Sequence, residues 1–324
     1  MAVFTPLSEE DINNFLKNYD IGDLVEYSGI LSGIENSNFY VTTTKGRYVL
    51  TVFERLNETQ IPYYLKLQKH LLDKGLSVSG PITDKNGHLF SSLKNKPASI
   101  APCIKGEYVD QPNAQACNQM GKMLAEMHLA VKDFPLTQEN TKGLAFWESS
   151  LPSLKPYMPE ELFEYLKKEI HRQKELMNSQ AYKELEAGAV HADLFRNNSL
   201  IEINGDEQNL GGVIDFYFAC NAPFLYDLAV TLNDWTIDQE TGEFLPKETQ
   251  AFLEGYNSVR KLTEKEHSLW QDMLSAGALR FWVSRLYDFY LPREASMLKP
   301  HDPRHFERIL KLRREADPKD LPWI

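Results

Sequence analysis

The chain has 324 residues, 42% of them hydrophobic and 25% charged, enough for two sizeable cores and too ordinary for a disordered or fibrous protein. With 35 Lys and Arg against 46 Asp and Glu the formal net charge is −11, which excludes a general nucleic-acid or anionic-membrane surface but leaves room for one local basic pocket. The widely spaced Cys103, Cys117 and Cys220 form no Cys-x-x-Cys pair, and the N-terminal residues lack the basic and apolar regions of a secretory signal. Reduced thiols and a cytoplasmic setting are therefore expected.

In chain order, Ser8-Glu9-Glu10-Asp11 predicts an N-cap opening a helix to about Asn18. Strand-like runs follow at Asp23–Ser32, Asn38–Thr44 and Arg47–Phe53, with Lys45-Gly46 as a tight turn. Asn57–Lys74 has helical periodicity, with Pro62 near its start where proline is tolerated. Asp84-Lys85-Asn86-Gly87 predicts a hairpin turn between Val78–Thr83 and His88–Ser92, and Ala98–Pro102 one more strand. Beyond Pro102–Gly106 the pattern turns helical. Helices are predicted at Asn113–Val131 and Pro159–Asn178, then a short β-rich island over 187–218. Four more are expected at Leu225–Trp235, Lys247–Val259, Glu264–Tyr290 and Asp302–Glu315. Thr263-Glu264-Lys265-Glu266 is a capping box. The class is α+β, a small antiparallel β lobe followed by a larger helical lobe.

The segment VHADLFRNNS from Val190 carries His191, Asp193 and Asn198 as H-x-D-L-x-x-x-N. A strand-like GGVIDFYF from Gly211 follows and holds Asp215. Asp215 and Asp227 interrupt the most apolar window, Gly211–Leu232, which marks a core element with a polar task and not a membrane span. Phosphoryl transfer needs a base aimed at the acceptor hydroxyl and oxygen ligands for magnesium. Asp193 fits the base, and Asn198 and Asp215 fit the ligands. The bland alternatives are a loop Asp capping its own turn and a turn amide that Asn197 would supply equally well. His191 reads as structural, fixing the loop through backbone bonds. Asp227, after Ala222-Pro223 at a helix start, reads as a partner of the catalytic-loop backbone.

This order of parts resembles the protein-kinase-like fold, and more narrowly its small-molecule branch, which includes the aminoglycoside phosphotransferases and the choline, methylthioribose and homoserine kinases. The homoserine kinases are the nearest resemblance. It rests on GIENSNFYVTT (33–43), YVLTVFE (48–54), MGKMLAEMHLA (120–130), VHADLFRNN (190–198), GVIDFYFACNAPFLYDLAVTLNDW (212–235), LRFWVSRLYDFYLPR (279–293) and DPRHFERIL (302–310). H-x-D-x-x-x-x-N identifies only the superfamily, and the 212–235 and 279–293 blocks carry the narrower likeness.

The resemblance implies ATP and Mg2+ as cofactors, L-homoserine as acceptor and a place in threonine biosynthesis. It also implies a nucleotide-binding β lobe over 1–103 and a helical lobe over 104–324 holding catalytic loop and acceptor pocket. Gly33 and Ser37 fall in the phosphate-covering turn, and Pro102 and Ile104 in the adenine-reading hinge. Thr51 stands where protein kinases carry the phosphate-pairing lysine, so another cation is expected to serve. Arg196 is the candidate for stabilising transferring phosphate charge, against an ion-pairing role of equal weight. Arg280, in an aromatic helix with Arg285, is expected to bind the acceptor carboxylate, and Tyr217 and Asp234 its ammonium. The alternatives are another small-alcohol acceptor (choline, methylthioribose or an aminoglycoside) and a nucleotide-binding pseudokinase.

Overall fold

The computed structural model describes residues 4–30, 36–292 and 300–324, which fall into two compact units, one up to Lys105 and the other from Gly106 onward. In the first unit, α1 (Glu9–Leu16) is closed by a Ser8/Asp11 capping box and buries Ile12, Phe15 and Leu16. It is followed by β1 (Leu24–Ile30), β2 (Ser37–Thr43), β3 (Gly46–Val52), α2 (Ile61–Asp73), β4 (Ser91–Leu93) and β5 (Lys96–Pro102). The five strands make one antiparallel sheet in the order β1-β2-β3-β5-β4. Alternate residues Phe39, Val41, Leu50, Val52, Ala98 and Ile100 form the core with the apolar face of α1.

The predicted hairpin around Asp84 is not a strand pair. Asp84 takes the N–H groups of Asn86 and His88 on its own carboxylate, which holds a local turn. The ladder instead turns at Lys94-Asn95, both left-handed (φ 52° and 60°), and joins β4 to β5. The helix after Asn57 begins only at Ile61, because the Asn57 side chain first accepts the Thr59 and Gln60 N–H groups.

The second unit contains α3 (Ala114–Ala130), α4 (Leu144–Leu154), α5 (Glu160–Asn178), α6 (Gln180–Lys183), then β6 (Ala187–Val190), β7 (Ser199–Asn204), β8 (Glu207–Val213) and β9 (Cys220–Pro223). α7 (Phe224–Trp235), α8 (Pro246–Val259), α9 (Glu264–Ser268), α10 (Trp270–Tyr290) and α11 (Arg304–Glu315) complete it. α4, with Pro152 inside it, was not anticipated, and the predicted single helix Glu264–Tyr290 is broken at Leu269. There the backbone leaves the helical region, and the buried Trp270 donates its indole N–H to the Pro322 carbonyl.

The strand pairing sets up the site. β6 pairs with β9 through Val190↔Cys220, and β7 with β8 through Ser199↔Val213. The loops 191–198 and 214–219 are thereby clamped side by side, and the Ile214 N–H donates to the Asn198 carbonyl. Among the described residues no helix is long and apolar enough to cross a membrane, and the three cysteines are free.

Candidate active site

The loop after β6 is held from below by α7, which is buried on every side. Two carboxylates seven residues apart lie on one face of that helix. Asp227 accepts the N–H groups of His191 (3.1 Å) and Ala192 (2.7 Å), and Asp234 accepts that of Arg196 (2.8 Å). Both ends of the loop are thus pinned through backbone. Ala192 and Asp215 sit at φ +62° and +63°, a conformation costly for a side-chain-bearing residue, and at Ala192 the bond to Asp227 sustains it.

His191 holds the two loops together. Its Nε2 donates to the Ile214 carbonyl (3.0 Å), and its Nδ1 accepts the Asp193 N–H (3.3 Å). These roles demand the neutral ring, and burial lowers its pKa in the same sense.

Asp193 occupies the centre. Its side chain is 18% exposed, and Arg280 Nη2 stands 3.3 Å from Oδ1. Asn198 Nδ2 donates to the Asp193 carbonyl (2.7 Å) and carboxylate (3.3 Å), which turns the amide oxygen away from Asp193. Burial pushes the Asp193 carboxyl up to about 7 against the pull of Arg280, and Asp215 adds to the rise. Such a group can take a proton near neutral pH. Asp215 lies just past the end of β8, not within a strand, and its carboxylate is exposed. Asn197, the alternative amide, is exposed and Asn198 buried.

Other expected residues have different tasks. Arg196 Nε bonds Asp234 Oδ2 at 3.0 Å, and the guanidinium also donates to the Asp110 carbonyl. This is the ion-pairing alternative for Arg196, and it engages Asp234, which had been expected to meet an ammonium. Tyr217 is half-buried in the turn after Asp215. Arg280 is buried among the rings of Phe281 (3.9 Å) and Phe218 (5.1 Å).

In the first unit the Ser37 hydroxyl is fully buried. It accepts the Phe4 and Thr5 N–H groups and donates to Glu54 at 2.5 Å, so it is engaged inside the unit and does not present itself to phosphate. Burial raises the Glu54 carboxyl, but Lys96 and Ser37 bring it below its ordinary value. Thr51 donates to Asn38 Oδ1 at 2.8 Å. Cys103 donates its N–H to the Arg47 carbonyl and Pro102 has none, which leaves Ile104 the amide donor of those three hinge residues. Gly33 lies outside the described residues.

One part of the site was missed. His128 of α3 is buried, donates through Nε2 to Asp227 Oδ2 (3.0 Å) and accepts the Tyr256 hydroxyl of α8 at Nδ1 (2.8 Å). Arg260 donates to the same hydroxyl oxygen (3.2 Å) and bonds Glu186 (3.0 Å) and Glu266 (2.7 Å). Burial lowers the His128 pKa despite Asp227. Burial also raises that of Asp227, but His128 and the loop amides more than reverse it, leaving a neutral ring on a carboxylate. The sequence signal was a histidine on the apolar face of an amphipathic helix, which by itself reads as core.

Residues 26–262 match a family model described as the phosphotransferase enzyme family. The chain is 49% identical over 331 residues to a homoserine kinase of Cupriavidus necator, covering 100% of both chains. It is 47% identical over 315 residues to a homoserine kinase of a Janthinobacterium species, covering 97% of each. Among solved structures, it resembles an amicoumacin kinase in complex with AMP-PNP, Ca2+ and its antibiotic, with a TM-score of 0.69 at 17% identity over 98% of this chain and 95% of that one. A spectinomycin phosphotransferase in complex with ADP and spectinomycin follows at TM-score 0.61 and 15% identity, over 97% and 96%. These two likenesses establish the two-lobe, protein-kinase-like α+β fold. With the family match spanning most of its length and curated relatives nearly half identical from end to end, this chain belongs to the phosphotransferase enzyme family.

Proposed function

We propose that this chain transfers the γ-phosphoryl group of ATP to the hydroxyl of L-homoserine, forming O-phosphohomoserine for threonine biosynthesis in the cytoplasm. The observation that carries the acceptor is the identity of nearly half with homoserine kinases over the whole of both chains. The chemistry is carried by Asp193, a half-buried carboxylate with its pKa near neutrality beside an exposed Asp215 and a side-turned Asn198 amide.

In this reading the β lobe over residues 1–103 binds the nucleotide, with Ile104 at the hinge reading adenine. Asp193 accepts the hydrogen bond of the acceptor hydroxyl and takes its proton as that oxygen bonds phosphorus and ADP departs. Asn198 Oδ1 and Asp215 are hard oxygen donors suited to magnesium, which usually takes only one or two protein ligands. When bound, magnesium neutralises charge on the transferring phosphates. Arg280 favours the ionised form of Asp193. Arg196 serves through Asp234 to hold the loop.

A coupled assay with ATP, magnesium and a panel of homoserine, choline, methylthioribose and kanamycin tests the acceptor. Homoserine is expected to be turned over, and turnover of choline alone overturns the reading. Nucleotide binding with no turnover of any acceptor favours a pseudokinase, a reading that Thr51 in the lysine position motivates. Asp193→Asn is expected to lose about three or more orders of magnitude in kcat while ATP still binds. Near-normal rates would place the base elsewhere.

A further inference from the structure

The helix that brings Arg280 to Asp193 carries a second guanidinium five residues on. Arg285 lies over the Phe306 ring at 4.4 Å and has no hydrogen bond or ion pair among the described residues. Among the described arginines near the loop, Arg280 also has a buried Nη2 without a hydrogen bond, but it is ion-paired with Asp193. Arg196 is on Asp234 and Arg280 is at Asp193, while Arg313 donates to Asn233 and the Gly242 carbonyl.

Phe306 fixes where Arg285 lies. The same ring stacks on Phe195 of the catalytic loop (centroids 5.7 Å) and on Phe281 (5.0 Å), the residue next to Arg280. Arg285 and Phe195 of the loop thus share one aromatic neighbour. Asp193, Asp234, Asp302 and Arg280 are its electrostatic neighbours, and burial pulls its pKa down to about 10. A guanidinium taken from water with no hydrogen-bonding anion is in an unfavourable state that a ligand carboxylate relieves. The nearby His305 is pushed down to about 4 by burial and by Arg285, and His301 is lowered by the same two causes, so neither is cationic at neutral pH.

We infer that Arg285 recognises the carboxylate of the acceptor, while Arg280 serves Asp193. The inference rests on the homoserine reading and deepens it by dividing the two arginines: Arg285 sets which alcohol is accepted, while Arg280 is ion-paired with Asp193. A planar fork stacked on an aromatic ring presents two parallel N–H groups in the geometry that a carboxylate takes and a compact ammonium cannot copy.

The test compares L-homoserine with 3-aminopropan-1-ol, the same chain without its carboxylate. Arg285→Gln is expected to raise KM for homoserine about 100-fold, with kcat within a few-fold, KM for ATP unchanged and kcat/KM on 3-aminopropan-1-ol unchanged. Arg285→Lys, which keeps the charge and loses the fork, is expected to fall between, and thermal melts confirm that both variants fold. A homoserine KM within threefold of the parent, or equal losses on both alcohols, overturns the assignment to Arg285.

Calorimetric titration of homoserine into protein loaded with magnesium and AMP-PNP separates the two levels. Binding without turnover, weakened by Arg285→Gln, retains Arg285 and overturns only the kinase reading. No binding to the parent protein overturns both.

Discussion

Asp193 shows how one residue's environment sets its chemistry. An Asp in water is ionised well below neutral pH, but burial beside Asp215 lifts this one to about 7, and Arg280, with the Asn198 amide, restrains the rise. The base form is the carboxylate, so kcat/KM for the acceptor is expected to fall as pH drops below about 7 and to level off above it. Removing the cation removes the stronger of the two interactions that favour the charged form. Arg280→Gln is therefore expected to move the acidic limb to higher pH, with lower activity at pH 7 partly restored at pH 9. A limb left unmoved in a pH–rate profile would separate Arg280 from the titration of Asp193. His191 and Asp227 belong to the same scale. The first is held neutral to bridge two loops and the second ionised to accept three N–H groups.

Among the elements, the crossing of α3 and α8 sets how the loop is supported. Gly121 and Gly255 let the two backbones touch. A Cβ on Gly121 would meet the Phe252 carbonyl oxygen at 2.1 Å, and one on Gly255 the Asn118 carbonyl oxygen at 2.1 Å. Backbone cannot step aside as a side chain can, so either alanine must push the helices apart. That approach is what lets His128 of α3 meet Tyr256 of α8 at 2.8 Å and so reach Asp227 under the loop. Gly121→Ala and Gly255→Ala are each expected to cost about 1–3 kcal/mol, read as a lowered Tm, and to lower kcat as well. The double variant is expected to lose less than the sum, since the first alanine has already separated the helices. Strict additivity would show that the two contacts are independent. The spacing of Asp227 and Asp234 is an element-scale device too, because one helix face delivers both carboxylates to the two ends of a single loop.

At the scale of the whole molecule, the proposed reading has a strongly acidic chain bind an anionic nucleotide, which would put weight on an accompanying metal. Magnesium with ATP at 100 times Kd is expected to stabilise the folded protein by about 2.7 kcal/mol, read as a raised Tm. ATP alone is expected to give less, and Asp215→Ala to abolish the difference. An equal rise with and without magnesium would remove Asp215 from metal binding. Much of this molecule was legible in its residues. The N-cap at Ser8, the three first strands and the order Asp193, Asn198, Asp215 follow from local chemistry, because caps, alternation and motif spacing act over a few neighbours. What tertiary structure decided was pairing. Local signals could not say that the Asp84 turn would close on itself while Lys94-Asn95 turned the ladder, since both have turn chemistry and only long-range register selects one. Nor could they say that Ser37 would be sealed inside its unit, that Asp234 would take Arg196, or that Arg285 would lie on the Phe306 ring with no ion pair among the described residues. A residue's type states which bonds it can make, and the partner that satisfies it lies dozens of residues away, chosen by packing.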